Sequence, residues 1–143
     1  MDKFEKQRRI FTVVGILLLV SVASLIAVIP AMIQEVSKDS IPKVAVIATA
    51  VGAGIHLLLA SVFFIGARLA KIKRRINNEI NLASAIVLFI IGSMIMDGAT
   101  AYWDSLRFVS IGLFLCVFCD YAGVIVSVAA LIMLRRKRWT NPV

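Results

Sequence analysis

The sequence holds few of the residues from which metal centres and soluble active sites are usually built: one histidine, two cysteines and eight carboxylates in 143 residues. A lone histidine cannot supply two axial imidazoles to a membrane haem, and no His/Cys group has the local spacing of a structural zinc site. The two cysteines, Cys116 and Cys119, form a Cys-x-x-Cys inside a long apolar run, away from the exposed electropositive setting that activates a thiol, so they read as small buried hydrophobes. No phosphate-binding glycine loop, nucleophile elbow or metalloprotease motif occurs. No cofactor, no metal and no enzymatic activity is therefore expected. Asn-x-Ser/Thr acceptors are absent too, and no polar stretch is long enough to build a soluble domain.

Long apolar runs are what the chain does contain. Hydrophobic residues make up 61% of it, concentrated in four stretches: Ile10 to Ile33, Val44 to Ala70, Leu82 to Trp103 and Phe108 to Leu134. A helix rises about 1.5 Å per residue, so roughly 20 such residues cross a hydrocarbon core about 30 Å thick. Backbone amides in lipid must be paired within the segment or within a closed barrel, and the runs lack the alternating polar residues of barrel strands. The expectation is a single all-α domain, a transmembrane four-helix bundle spanning residues 1–143, in which sequence neighbours are antiparallel spatial neighbours. The first run exceeds a signal-peptide core and lacks a cleavage site after it, so it reads as a mature helix.

Charge sets the expected orientation. Thirteen of the sixteen Lys and Arg flank one side of the spans: Lys3, Lys6, Arg8 and Arg9, then Arg68, Lys71, Lys73, Arg74 and Arg75, then Arg135, Arg136, Lys137 and Arg138. Only Lys38, Lys43 and Arg107 flank the other. Basic residues are retained in the cytoplasm, which puts both termini and the 68–81 loop there. The net charge of +8 would ordinarily raise nucleic acid as a partner, but no soluble surface exists to present it. Anionic cytoplasmic lipid is the better match for Arg68, Lys71, Lys73, Arg74, Arg75 and the Arg135–Arg138 run, at about 1 kcal/mol per basic residue near the surface. Tyr102, Trp103, Phe11 and Trp139 fall where interfacial anchors belong. The pattern indicates a multi-pass protein without distinguishing plasma membrane from endomembrane.

Ionisable groups inside spans are costly, at least about 2.5–3.5 kcal/mol each, and so are informative. Counted from their basic-side anchors, His56, Asp97 and Asp120 fall at depths of roughly 18, 24 and 22 Å, and Ser24 lies at a similar level on the first helix. If all four face inward they form a polar belt with one member per helix. Such a belt can act as a proton or cation relay, as interhelical glue or as a docking point for another subunit. Four-spaced small residues, Cys119, Gly123 and Ser127 on the last helix and Ala48, Gly52 and His56 on the second, mark close helix packing, either internal or between copies. Gly15, Gly66, Gly92 and Gly112 look scattered, and Pro30, near the outer end of the first helix, marks a kink or the start of its exit from the membrane.

Four spans in about 140 residues, short outer loops, the third-helix segment Met94-Ile-Met-Asp97-Gly-Ala-Thr-Ala-Tyr102 and the fourth-helix segment Cys119-Asp-Tyr-Ala-Gly-Val-Ile-Val-Ser-Val-Ala-Ala-Leu resemble the MARVEL-type tetraspans. In the related plant Casparian-strip-type proteins an Arg within the first helix accompanies the third-helix Asp, whereas here no basic residue follows Arg9 in that helix. Claudins differ by a large disulfide-bearing outer loop. The MARVEL resemblance implies membrane apposition, vesicle traffic or organisation of lateral microdomains. The expected function is a non-enzymatic membrane organiser acting through lateral helix contacts and a basic rim, as a homo-oligomer or within a larger complex. The alternative is a small oligomeric proton- or cation-coupled transporter or channel using Asp97, Asp120 and His56.

Overall fold

The computed structural model describes residues 3–69 and 74–140, with side chains described for 5–68 and 79–133. It is all-α, with four helices: α1 (Lys3–Ser37), α2 (Lys43–Leu69), α3 (Arg74–Ala101) and α4 (Arg107–Thr140). Each is long and apolar enough to cross a membrane, which makes this a multi-pass integral membrane protein. The helices run past the apolar stretches at the end carrying both termini, hereafter the basic end. There α1 begins seven residues before Ile10, and α3 begins eight before Leu82. Pro30 lies inside α1, which continues past it to Ser37. At the far end the α1–α2 turn is closed by backbone bonds from Lys38, Asp39 and Ser40 to Glu35 and Val36, with Asp39 in the left-handed region at φ 57°. An aspartate tolerates that conformation better than most residues.

The helices form a ring with one slack side. α1 packs against α2 and α4, and α3 packs against α4, but α2 and α3 barely touch, which corrects the expectation that every sequence neighbour is a packing neighbour. The reason lies in where side chains allow backbones to approach. Gly15 lies beneath the Phe64 ring and Gly66 against Phe11 at the α1–α2 seam, Gly92 meets Tyr121 at the α3–α4 seam, and Gly112 meets Val28 at the α1–α4 seam. No glycine makes such a contact between α2 and α3. Without a hydrophobic driving force between helices in lipid, association depends on close packing of this kind, and the seam that lacks it stays slack.

Two apolar layers fill the bundle. Toward the basic end, Phe11, Val14, Leu18, Ala60, Phe63, Ala67 and Leu88 pack together, with Phe11 and Phe63 edge-to-face at 5.5 Å. Toward the far end, Leu25, Val28, Met32, Ile41, Ala53, Ala99, Val109, Leu113 and Cys116 form the second layer. The outer surface is equally apolar, as a membrane span requires, with Ile16, Ile47, Leu58, Ile86, Met94, Phe118 and Ile125 all more than half exposed.

A Cβ on Gly112 would collide with Val28 Cγ1, a side chain that is itself fully packed. Replacing Gly112 with Leu should therefore lower stability by about 1–3 kcal/mol through overpacking. Gly54, whose Cβ position is open, should accept the same replacement without loss. Thermal melts in detergent check this, and equal midpoints for the two variants would show that the α1–α4 approach is not tight.

Candidate functional site

Between the two apolar layers lies a compact polar cluster drawn from three helices. His56 on α2 and Asp120 on α4 are both 0% exposed, and His56 Nε2 lies 2.8 Å from each Asp120 carboxylate oxygen. The other ring nitrogen, Nδ1, is 2.6 Å from the Gly52 carbonyl oxygen one turn back along α2. A carbonyl only accepts, so Nδ1 carries a hydrogen, and Nε2 is the nitrogen facing the carboxylate. Ser21 on α1 donates to Asp120 Oδ1 at 3.0 Å and lies 3.5 Å from the Cys116 carbonyl oxygen. The Cys116 thiol completes the cluster, with Sγ 3.8 Å from Asp120 Oδ2 and 3.9 Å from His56 Nε2.

Local sequence places these groups. Cys116 and Asp120 are one turn apart on α4, and Gly52 and His56 one turn apart on α2, so each pair shares a helix face. Among the described residues the backbones of α2 and α4 do not approach one another, and the side chain of His56 crosses the bundle to reach Asp120. A carboxylate in hydrocarbon requires compensation, and here it receives a ring N–H and a hydroxyl. A proton shared between imidazole and carboxylate leaves the pair neutral overall.

Two of the four belt residues meet as expected, and two do not. Ser24 is buried, but its hydroxyl donates to the Val20 carbonyl of its own helix. Ser21, one turn nearer the basic end, makes the bond to Asp120 instead. Asp97 is exposed and does not join the cluster. The α3 residue beside Asp120 is Gly92, whose built Cβ lies 3.4 Å from Asp120 Cβ. Asp97 is five residues beyond it, about 7.5 Å nearer the far end. Counting depth from Asn81 misplaces Asp97 because Asn81 is not level with the α4 anchor: Gly92 is eleven residues from Asn81 whereas Asp120 is fifteen from Arg135, a difference of about 6 Å at the helical rise. Ser21 draws no notice in the sequence, and Cys116 reads there as a small buried hydrophobe, because neither is a charged residue type. Their positions, close in depth to His56 and Asp120, were the available signal.

Of the small residues marked for close packing, Ala48 is exposed and the others face neighbouring helices. Cys119, Gly123 and Ser127 are buried, Gly123 lying against Leu88 and Val14, and Gly52 faces Leu25. Nearer the basic end, Gln7, Asn81 and Ser127 are buried with side-chain polar atoms that have no hydrogen-bond partner among the described residues. Among the expected lipid-contacting residues, Arg68 is exposed at the basic end of α2. The side chains of Lys71, Lys73, Arg74, Arg75, Arg135, Arg136, Lys137 and Arg138 lie outside the described residues. Arg68 shares a groove of about 300 Å³ with Arg8, Thr12, Phe64, Ile65 and Ala67. Arg8, counted in the sequence only for topology, is thus brought beside Arg68. At the far end Arg107 lies over the Trp103 ring at 5.3 Å, and Trp103 meets Phe114 edge-to-face.

No protein-family model matches the chain, and neither a curated protein nor a solved structure does.

Removing one partner of a buried pair strands the other, at about 3–5 kcal/mol. Asp120→Leu should therefore lower stability by about that much, while Asp120→Asn, which can still hydrogen-bond His56, should be tolerated. Asp97→Asn should stay within about 0.5 kcal/mol of the wild type, as for a surface substitution. Unfolding titrations in mixed micelles check the order, and a destabilised Asp97 variant beside a neutral Asp120→Leu would reverse it.

Proposed function

We propose that the chain is a non-enzymatic tetraspan protein, with both termini cytoplasmic, that organises membrane microdomains, traffic or a membrane complex through lateral helix contacts and a basic cytoplasmic rim. The MARVEL-type resemblance points the same way. The observation that carries the reading is the enclosure of the polar cluster. Phe11, Leu18, Phe63 and Leu88 close it on one side and Leu25, Val28 and Val109 on the other, all at most 1% exposed. A permeation path needs polar lining continuous with water, and closed apolar layers act as barriers to ions. The His56–Asp120 pair is what favours the alternative of a proton- or cation-coupled transporter, since titratable groups at this depth are the usual parts of a relay. Its partners end at Ser21, Gly52 and Cys116, so the pair reads better as a latch between helices.

Lateral contact has available surface on α2. Ala50, Gly54, Leu57, Leu58 and Ser61 are exposed, and nothing lies within 4 Å of a Cβ built on Gly54. Small exposed residues allow a second helix to approach closely. Labelled protein in liposomes should show energy transfer between copies that falls in Gly54→Ile, while the same vesicles pass no protons or cations. Flux through the wild type would replace the scaffold reading with the transporter. Energy transfer unchanged by Gly54→Ile would remove this face from it.

The groove at the basic end supports the lipid part of the reading. Two guanidinium groups beside Phe64 and Ile65 suit a phosphate headgroup above an acyl chain, since guanidinium pairs with phosphate through paired N–H donors. Arg8→Gln combined with Arg68→Gln should reduce co-sedimentation with anionic liposomes at moderate salt and leave binding to neutral liposomes unchanged. Equal loss on both kinds of vesicle would point to misfolding instead.

A further inference from the structure

The polar cluster has a geometry that a hydrogen-bonded latch does not need. We infer that His56 Nε2, Cys116 Sγ and Asp120 Oδ2 form a site for a Zn²⁺ ion at the centre of the bundle. The inference goes beyond the scaffold reading and holds whether or not the protein associates laterally.

The three donor atoms stand 2.8 Å (Nε2 to Oδ2), 3.9 Å (Nε2 to Sγ) and 3.8 Å (Sγ to Oδ2) apart. The circle through a triangle with those sides has a radius of about 2.1 Å, so a single point lies that far from all three atoms. Zinc takes histidine nitrogen at about 2.0–2.1 Å, carboxylate oxygen at about 2.0–2.2 Å and thiolate sulfur at about 2.3 Å. A small displacement of the ion out of the plane of the three atoms lengthens all three distances toward the sulfur value and leaves a fourth position for water or the Ser21 hydroxyl.

The surroundings supply what ligands of this kind require. A histidine bound to metal through one nitrogen usually donates its other ring N–H to a carbonyl or carboxylate, which fixes the tautomer. His56 does so through Nδ1 to Gly52. A ligating carboxylate is in turn held by hydrogen bonds, and Ser21 holds the Asp120 oxygen Oδ1 at 3.0 Å. The donor set, one nitrogen, one sulfur and one oxygen, suits a borderline ion such as Zn²⁺ over hard Mg²⁺ or Ca²⁺.

Charge balance makes the ion compatible with hydrocarbon. Without metal, the thiol holds its proton, and His56 and Asp120 share one. Zn²⁺ displaces both protons: the N–Zn, S–Zn and O–Zn bonds form, the S–H bond and the shared hydrogen bond break, and the protons leave to water. A dication then sits among a thiolate, a carboxylate and a neutral imidazole, with no net charge before or after. An ion that created net charge at this depth would meet the full cost of burial in lipid. All three ligands are 0% exposed, so the ion enters as the helices assemble. Sequence spacing hid the site because only Cys116 and Asp120 are near in sequence, and a four-residue Cys–Asp interval matches no zinc motif.

The test is metal content after synthesis in zinc-supplemented cells, followed by cobalt loading during synthesis. Wild type and Cys119→Ser, each purified in detergent, should carry zinc in equimolar amount and melt at higher temperature than protein made under chelation. Cys116→Ser should lose the zinc. Cobalt-loaded wild type and Cys119→Ser should show a near-ultraviolet thiolate-to-cobalt band that Cys116→Ser lacks. Folded wild type with no bound metal after zinc-rich synthesis overturns the inference without reference to any variant. So does zinc or a cobalt band retained undiminished in Cys116→Ser.

Discussion

The contact between His56 and Asp120 is the interaction on which the arrangement of this bundle turns. Among the described residues the backbones of α2 and α4 do not approach, and the direct link between these two helices, each of which packs on α1, is one side chain reaching across to another. In water such a pair would contribute little, because solvent can replace either partner. In hydrocarbon there is no replacement. A helix slipping by one turn would leave a carboxylate and an imidazole without partners, and that cost is far larger than the roughly 1 kcal/mol an interhelical hydrogen bond contributes when made. The pair therefore acts more as a penalty on wrong registers than as a source of net stability, and Ser21 extends that penalty to α1.

The apolar layers on either side depend on this register. Phe11 against Phe63 and Val28 against Gly112 are shape-specific contacts, and each requires the helices to sit within a fraction of a turn of their observed positions. Generic hydrophobicity cannot enforce this in lipid, because acyl chains would satisfy the same side chains equally well. A bundle of this kind takes its cohesion from close approach at Gly15, Gly66, Gly92 and Gly112 and its register from a polar centre. The slack seam between α2 and α3 has neither device.

The four helices were legible in the sequence because hydrocarbon thickness imposes span length directly, and four runs of sufficient length leave little choice of architecture. Which residues meet was much less legible. His56 and Asp120 were recognisable because ionisable groups are expensive in lipid, and that cost holds whatever the helix rotation. Asp97 was misassigned because depth was counted from a polar residue taken as interfacial. Asn81 lies about one turn deeper than the Arg135 level from which Asp120 was counted, and a polar side chain packed between helices marks no common level. The glycines at positions 15 and 112 looked uninformative because a glycine's role depends on what faces it, and sequence does not say what that is. Cys116 was undervalued for the same reason. Read alone it is a small apolar residue, and only the histidine arriving from another helix gives its sulfur a chemical context.

The placement of the cluster also bears on which functions the fold can support. A relay must exchange protons or ions with water on both sides, so it needs its titratable groups joined by polar neighbours toward each surface. Here the hydrogen bonds of His56 and Asp120 join α2 to α4 and α4 to α1, and their other partners, Gly52 and Cys116, lie one turn away on the same helices. Beyond them stand buried apolar side chains, Leu18, Phe63 and Leu88 on one side and Leu25, Val28 and Val109 on the other. That interruption of the polar contacts is the physical reason to read the polar centre as the fastening of a membrane organiser and to look to the outer helix faces and the basic end for its partners.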